Sequence, residues 1–383
     1  MKIALLGNQA RAMSNFWSVL IGRLVGTGHE AVCLLPTPSP GDDPAWEASL
    51  TRLGARVLHY PLDRKGLNPF RDIATFRALH AFFRDERPDV LFAYTIKPVI
   101  YGALAAARAG SPPAARRNLM ITGLGYMFEA DSPGKRLLRN LARLLYHAAL
   151  ACSGTVFFQN REDREVFESL SIIPRSITVV QCKGTGVDTR RFAAAPPPGG
   201  PPVFLFVGRL LEAKGLRDFA EAARRVRRAH PEAVFRILGP AEKGLGSVPL
   251  EEVLAWEQAG DIEYLGEALD VRPYIAAATA VVLPSWREGA PVSLLEAMSM
   301  GRAVVAADAP GSREVVRDGH NGLLTPLRDP AALAAALGRL VDAPGLAAAM
   351  GAAGRELAER EYSAENVARQ LMLDMGVTEK NAS

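Results

Sequence analysis

The sequence predicts an α/β protein built from two doubly wound, Rossmann-like domains, and three observations lead there. Short apolar strands alternate with helix-period segments along the whole chain. A proline- and glycine-rich run, Ala193-Ala194-Ala195-Pro196-Pro197-Pro198-Gly199-Gly200-Pro201-Pro202, interrupts the alternation where neither a strand nor a helix can continue. At 383 residues, the chain also exceeds what one hydrophobic core usually holds. The expected division is residues 1–195, residues 196–362, and a C-terminal helix over 363–383 that crosses back to the first domain.

Composition narrows the partners. The hydrophobic share of 49% and charged share of 22% are ordinary for a globular enzyme. Net charge is uneven: residues 1–195 carry 25 Lys+Arg against 16 Asp+Glu, and residues 196–383 carry 20 against 25. A basic first half suits a phosphorylated substrate or an anionic membrane surface; without interleaved aromatic and basic residues, nucleic acid is not expected. Cys33, Cys152 and Cys182 have neither zinc-ligand spacing nor a disulfide framework, which fits a reducing compartment. Met1-Lys2-Ile3-Ala4-Leu5-Leu6-Gly7 looks like a strand and a glycine turn rather than a signal peptide, and no apolar run is long enough to span a bilayer. The expected location is cytoplasmic, peripheral at the inner face of the membrane.

In the first domain, residues 2–6 form a strand, Gly7-Asn8 a turn, and Phe16, Trp17, Leu20, Ile21 and Leu24 mark a helix by their spacing. The opening lacks a full Gly-x-Gly-x-x-Gly, so a turn that opens the domain explains Gly7 better than a nucleotide contact does. Strands over 30–35, 56–60 and 89–94 follow, with a helix over 73–84 between the last two. The loops Thr95-Ile96-Lys97-Pro98 and Thr122-Gly123-Leu124-Gly125 come at strand ends, where Lys97 suits a phosphate and the glycines suit close backbone approach. From Pro133 to Leu150, Lys135, Arg139, Arg143 and His147 recur every fourth residue, with Arg136 alongside. Leu137, Leu138, Leu141, Leu144 and Leu145 are expected on the opposite face, packed on the sheet or laid into a bilayer.

The second domain begins again with strand 203–207, followed by Gly208-Arg209 and Lys214-Gly215 at a strand-to-helix turn, where two cations and backbone amides can hold a diphosphate. Strands ending at Gly239 and Gly266 follow, and their turns suit a flat base or ribose. Strand 280–283 leads into Arg287-Glu288-Gly289-Ala290-Pro291-Val292 and a helix carrying Glu296. Two carboxylates near a helix start, itself a positive dipole end, suit sugar hydroxyls beside a phosphate.

Gly208-Arg209 before Lys214-Gly215, seven residues between Glu288 and Glu296, Gly186-Val187-Asp188 before Phe192, and Leu283-Pro284-Ser285 before Glu288 together resemble the family 4 retaining glycosyltransferases of GT-B fold. The resemblance runs along nearly the whole chain. It implies two Rossmann-like domains facing across a cleft and a UDP-sugar donor, with no cofactor and no metal; the chain also lacks Asp-x-Asp. Donor contacts implied are Gly7, Gly208, Arg209, Lys214, Gly239, Leu265, Glu288, Gly289, Ala290, Pro291, Val292 and Glu296, with Arg209 and Lys214 on the diphosphate, Glu288 on the sugar and Glu296 on the ribose. Arg209, Lys214 and Glu288 are the expected catalytic set. Asn68-Pro69-Phe70 after Leu67, and Thr95-Ile96-Lys97-Pro98-Val99-Ile100-Tyr101-Gly102, resemble transferases that extend undecaprenyl-diphosphate-linked sugars. That implies a lipid-diphosphate-linked saccharide acceptor near Asn15, Thr95, Lys97, Thr122 and Gly123, with an N-acetylhexosamine transferred. An epimerase of the same fold and a non-catalytic sugar-nucleotide scaffold are the alternatives.

Overall fold

The computed structural model describes residues 1–379 apart from 40, 65, 67, 125–132, 243 and 245, and apart from the side chains of 133–136. Leu67, Gly125 and the side chains of Lys135 and Arg136, all singled out above, lie outside the described residues. The chain divides into two compact units, residues 1–185 with 365–383, and residues 186–364.

The first unit contains β1 (Lys2–Leu6), α1 (Ala10–Gly26), β2 (Glu30–Pro36), α2 (Ala45–Arg52), β3 (Arg56–Tyr60), α3 (Pro69–Glu86), β4 (Val90–Tyr94), α4 (Ile96–Ala109), β5 (Arg117–Ile121), α5 (Pro133–Ala151), β6 (Thr155–Phe158), α6 (Arg161–Ser169) and β7 (Thr178–Gln181). Its parallel sheet runs β3-β2-β1-β4-β5-β6-β7. Ile3 to Leu6 and Val90 to Tyr94 are buried throughout, as strands covered by helices on both faces must be. Asn68 starts α3 by accepting from the Phe70 and Arg71 amides, with Pro69 preset in the first turn.

The second unit contains β8 (Val203–Val207), α7 (Leu216–Ala229), β9 (Val234–Leu238), α8 (Leu250–Gln258), β10 (Glu263–Tyr264), α9 (Arg272–Ala276), β11 (Ala280–Leu283), α10 (Val292–Ser299), β12 (Ala303–Ala307), α11 (Ser312–Val315), β13 (Gly322–Thr325), α12 (Pro330–Asp342) and α13 (Pro344–Glu361). Its sheet order is β10-β9-β8-β11-β12-β13. In both sheets the strand order reverses beside the first strand, between β1 and β4 and between β8 and β11.

The unit boundary corrects the one read from the proline run. Residues 186–195 belong to the second unit: Val187 donates to the Tyr362 carbonyl at 2.8 Å, and Arg355 holds the Thr189 and Phe192 carbonyls. Proline halts regular structure at 196–202, but burial of Val187 and Phe192 decides which core that stretch joins. The last helix, α14 (Ala364–Asp374), and the residues after it pack Val367, Leu371, Met372, Met375 and Val377 into the core of the first unit with Trp17, Ile21 and Leu24.

Helix α5 also differs from expectation. Its buried face is Ala142, Tyr146, Ala149 and Leu150, one row by helical repeat, while Leu137, Leu141 and Leu144 are exposed. Small residues and one tyrosine let α5 pack close to α4, and the leucine row turns outward. Among the described residues no single helix is long and apolar enough to cross a membrane.

Candidate active site

In open parallel sheets, ligands bind beyond the carboxyl ends of the strands, at the point where strand order reverses. In the second unit that point lies between β8 and β11, and it is where the Arg209–Gly215 turn and the Pro284–Val292 loop emerge. A backbone link joins them, Trp286 donating to the Ala213 carbonyl at 2.8 Å, and a second ties the loop to the turn after β12, Glu288 donating to the Pro310 carbonyl at 3.0 Å.

These links bring Lys214 and Glu288 together. Lys214 Nζ donates to Glu288 Oε1 at 2.5 Å, with both side chains largely buried. A charge-assisted bond of this kind contributes about 1.5–3 kcal/mol. Arg209 is placed differently. It is exposed and donates through Nη1 to Glu242 Oε1 at 3.2 Å, so each cation at this edge meets its own carboxylate.

Glycine geometry explains the tight packing of the edge. Gly215 begins α7 at φ 71°, and a Cβ there would lie 2.2 Å from the Pro284 carbonyl oxygen. Gly239 would place a Cβ 1.9 Å from the Gly208 oxygen, so the β8 and β9 turns touch backbone to backbone. Gly239 donates to Gly266, and Leu265 donates to Ile237, extending β9 and β10 past their formal ends. Gly289, Ala290 and Pro291 lead into α10, where Pro291 offers no side-chain cap and Val292 opens the helix.

Glu296 sits one turn into α10, partly buried. Burial pushes its carboxyl up to about 8, against an opposing pull from Arg191.

Three features were missed. Gly311, at φ 80°, packs so closely under the Glu288 and Gly289 carbonyls that a Cβ would lie 2.5 Å from the former; the Pro310-Gly311 dipeptide was a readable turn signal. Arg191 lay inside the Gly186–Phe192 segment without being singled out. Arg328, at φ 57°, stacks 3.9 Å from the centre of the Trp286 ring in the same loop as Glu288, and no local pattern announces that pair.

In the first unit the corresponding edge is organised differently. Gly7 is buried, accepts from the Tyr60 hydroxyl at 2.7 Å, and lies so close to Tyr94 that a Cβ would fall 2.3 Å from its hydroxyl. Packing alone accounts for that glycine. Lys97 is not an open cation: its Nζ donates to Asp72 Oδ1 at 2.6 Å and to the Gly66 carbonyl at 2.8 Å. Thr95 precedes α4 at φ 68°, strained for a β-branched residue, and its hydroxyl is buried without a hydrogen-bond partner among the described residues. Asn15 on α1 and Thr122 and Gly123 after β5 are partly exposed.

Two parallel-sheet units with this order have the architecture of a GT-B glycosyltransferase, and the family matches make it a hexosyltransferase. The chain belongs to the family 4 glycosyltransferases: residues 12–183 match the glycosyl transferase 4-like domain, and residues 201–343 match glycosyl transferases group 1. It is 25% identical over 336 residues to the N,N'-diacetylbacillosaminyl-diphospho-undecaprenol alpha-1,3-N-acetylgalactosaminyltransferase of Campylobacter jejuni, covering 84% of this chain and 85% of that one. It is 27% identical over 307 residues to the UDP-Gal:alpha-D-GlcNAc-diphosphoundecaprenol alpha-1,3-galactosyltransferase of Escherichia coli, covering 75% of each. The solved structure of HepE from Anabaena in complex with UDP and glucose shares the fold at a TM-score of 0.76 and 18% identity, over 99% of this chain and 100% of that one.

Proposed function

We propose that this hexosyltransferase moves an N-acetylhexosamine from a UDP-sugar to an undecaprenyl-diphosphate-linked saccharide, with retention of configuration and without a metal, in bacterial glycan or glycoprotein oligosaccharide assembly at the inner face of the cytoplasmic membrane. The observation that carries the donor half is the 2.5 Å contact between Lys214 and Glu288 at the strand-order reversal. A donor diphosphate is a stronger anionic partner for Lys214 than one carboxylate, and its arrival frees Glu288 to accept from sugar hydroxyls. Arg209, exposed beside it, supplies the second charge. The acceptor half rests on the two relatives, both named for undecaprenyl-diphosphate-linked acceptors, and on the basic first half of the chain.

In this reading the bond from the sugar anomeric carbon to the diphosphate breaks, and the acceptor oxygen bonds to that carbon on the same face. The acceptor proton passes to the departing phosphate oxygen. Negative charge grows on the diphosphate as it leaves, so fixed cations stabilise the transition state more than the ground state. Glu296 accepts from the ribose hydroxyls.

The test is a panel of UDP-sugars incubated with an undecaprenyl-diphosphate-linked disaccharide, the product sized by mass and its anomeric configuration read by NMR. The expected product is one N-acetylhexosamine longer, α-linked, and formed equally well with chelator present. Transfer only to a non-lipid acceptor, an inverted linkage, or loss of turnover on chelation would each overturn the corresponding part.

A further inference from the structure

Helix α5 contains no acidic residue, and its outward surface divides into two rows. Leu137, Leu141 and Leu144, spaced i, i+4, i+7, are 74%, 51% and 66% exposed. Arg143 and His147 stand exposed beside them, with Arg139 partly exposed on the same helix. The core takes the other side, so the leucines serve nothing inside the unit. Helices α3, α4 and α5 share one core cluster and therefore one face of the sheet. The beginning of α3 adds Phe70, 80% exposed, and Ile73, 47% exposed. α3 connects β3 to β4 and α5 connects β5 to β6 in a parallel sheet, so both helices run back from the carboxyl edge and their first turns lie towards that end of the face.

We infer that this face, α5 with the start of α3, is a docking surface for an anionic lipid bilayer. The leucines and Phe70 enter the boundary between headgroups and acyl chains, and Arg139 and Arg143 meet lipid phosphates. The inference deepens the proposed function and rests on it, since a lipid-linked acceptor is met only at such a surface. Charge selects this occupant over a second copy of the chain. A symmetric contact between two α5 faces would set the arginine rows against each other, and like charges across an interface are costly. A bilayer rich in anionic headgroups matches both rows at once.

The experiment is co-sedimentation of the full chain with vesicles that contain no acceptor, either phosphatidylglycerol mixed with phosphatidylethanolamine or phosphatidylcholine alone. Wild type is expected to bind the first and to bind the second far more weakly. Arg139→Ala with Arg143→Ala should lower partitioning roughly 30-fold, from about a fivefold loss per arginine. Leu137→Gln with Leu141→Gln and Leu144→Gln should lower it at least as much, with the unfolding transition unchanged. Transfer to a short-chain, water-soluble acceptor analogue should be retained in both variants. Equal binding to both vesicle types, or undiminished binding by the leucine variant, overturns the inference. So does a leucine variant that changes only oligomeric state in sedimentation, which would make the face a contact between copies. Vesicle binding without any transfer activity would instead remove the proposed reaction and leave the docking surface standing.

Discussion

Lys214 and Lys97 make an instructive pair. Each follows a strand at a carboxyl edge, each donates to a carboxylate within 2.6 Å, and each side chain is largely buried. Their remaining partners separate them. Lys97 also holds the Gly66 carbonyl, so Asp72 from α3 and the loop before it use the lysine to fix local structure. Lys214 has Glu288 across the switch point, a partner carried by a loop that meets the lysine's own turn through the Trp286 to Ala213 link. A lysine with a carboxylate and a local carbonyl is built into its unit, whereas a lysine shared between two site loops can exchange its partner for a ligand.

Replacing each lysine by alanine is the sharpest way to break this comparison. Lys214→Ala should cost about 10²–10³-fold in the kcat of the folded protein, the usual penalty for losing one charge-stabilising donor, besides about 1.5–3 kcal/mol of stability from its bond to Glu288. Lys97→Ala should cost roughly 1.5–3 kcal/mol of stability, leaving the Asp72 carboxylate with the Tyr101 hydroxyl and no cation, while folded protein keeps most of its turnover. Denaturant melts beside steady-state rates distinguish the two; a stable, inactive Lys97 variant would put that residue back among acceptor contacts.

Gly311 sharpens the site half of the comparison. Its positive φ and its contact with the Glu288 and Gly289 carbonyls leave no room for a methyl group. Gly311→Ala should destabilise by about 1–3 kcal/mol and, by displacing the Glu288 backbone, lower kcat by up to about 10²-fold. A variant with unchanged kcat at full folding would show that Glu288 tolerates displacement.

The legibility of the chain follows the same division. Strands of both sheets were readable because parallel strands buried on two faces give unbroken apolar runs such as Val281 to Leu283. Lys214, Glu288 and Glu296 were readable as positions, because their motif is local in sequence. Partners were not: that Lys97 belongs to Asp72, that Arg209 faces Glu242, and that α5 turns its leucines outward all depend on which distant element packs alongside. The proline run misled for a related reason, since proline reports where backbone pairing stops and says nothing about which core claims the residues before it.

The smallest expected effect concerns the two acids of the motif, which differ in surroundings although they look equivalent in sequence. Glu288 has a lysine against it, while Glu296 has mainly burial, which raises its carboxyl from 4.5 to about 8. In the unfolded chain that carboxyl loses its proton near 4.5, but the folded unit retains it, so folding takes up a proton in between. Stability therefore falls as pH rises from about 4.5 towards 8 and levels off above, a dependence of at most one proton. Glu296→Gln removes this component, and the difference between wild-type and variant denaturation midpoints should slope only within that window. UDP binding gives an independent reading: if ribose hydroxyls donate to an ionised Glu296, binding near neutral pH releases a proton, and the calorimetric heat varies with the ionisation enthalpy of the buffer. Heat independent of buffer, together with a flat stability difference, would mean that Glu296 is already ionised in the folded protein.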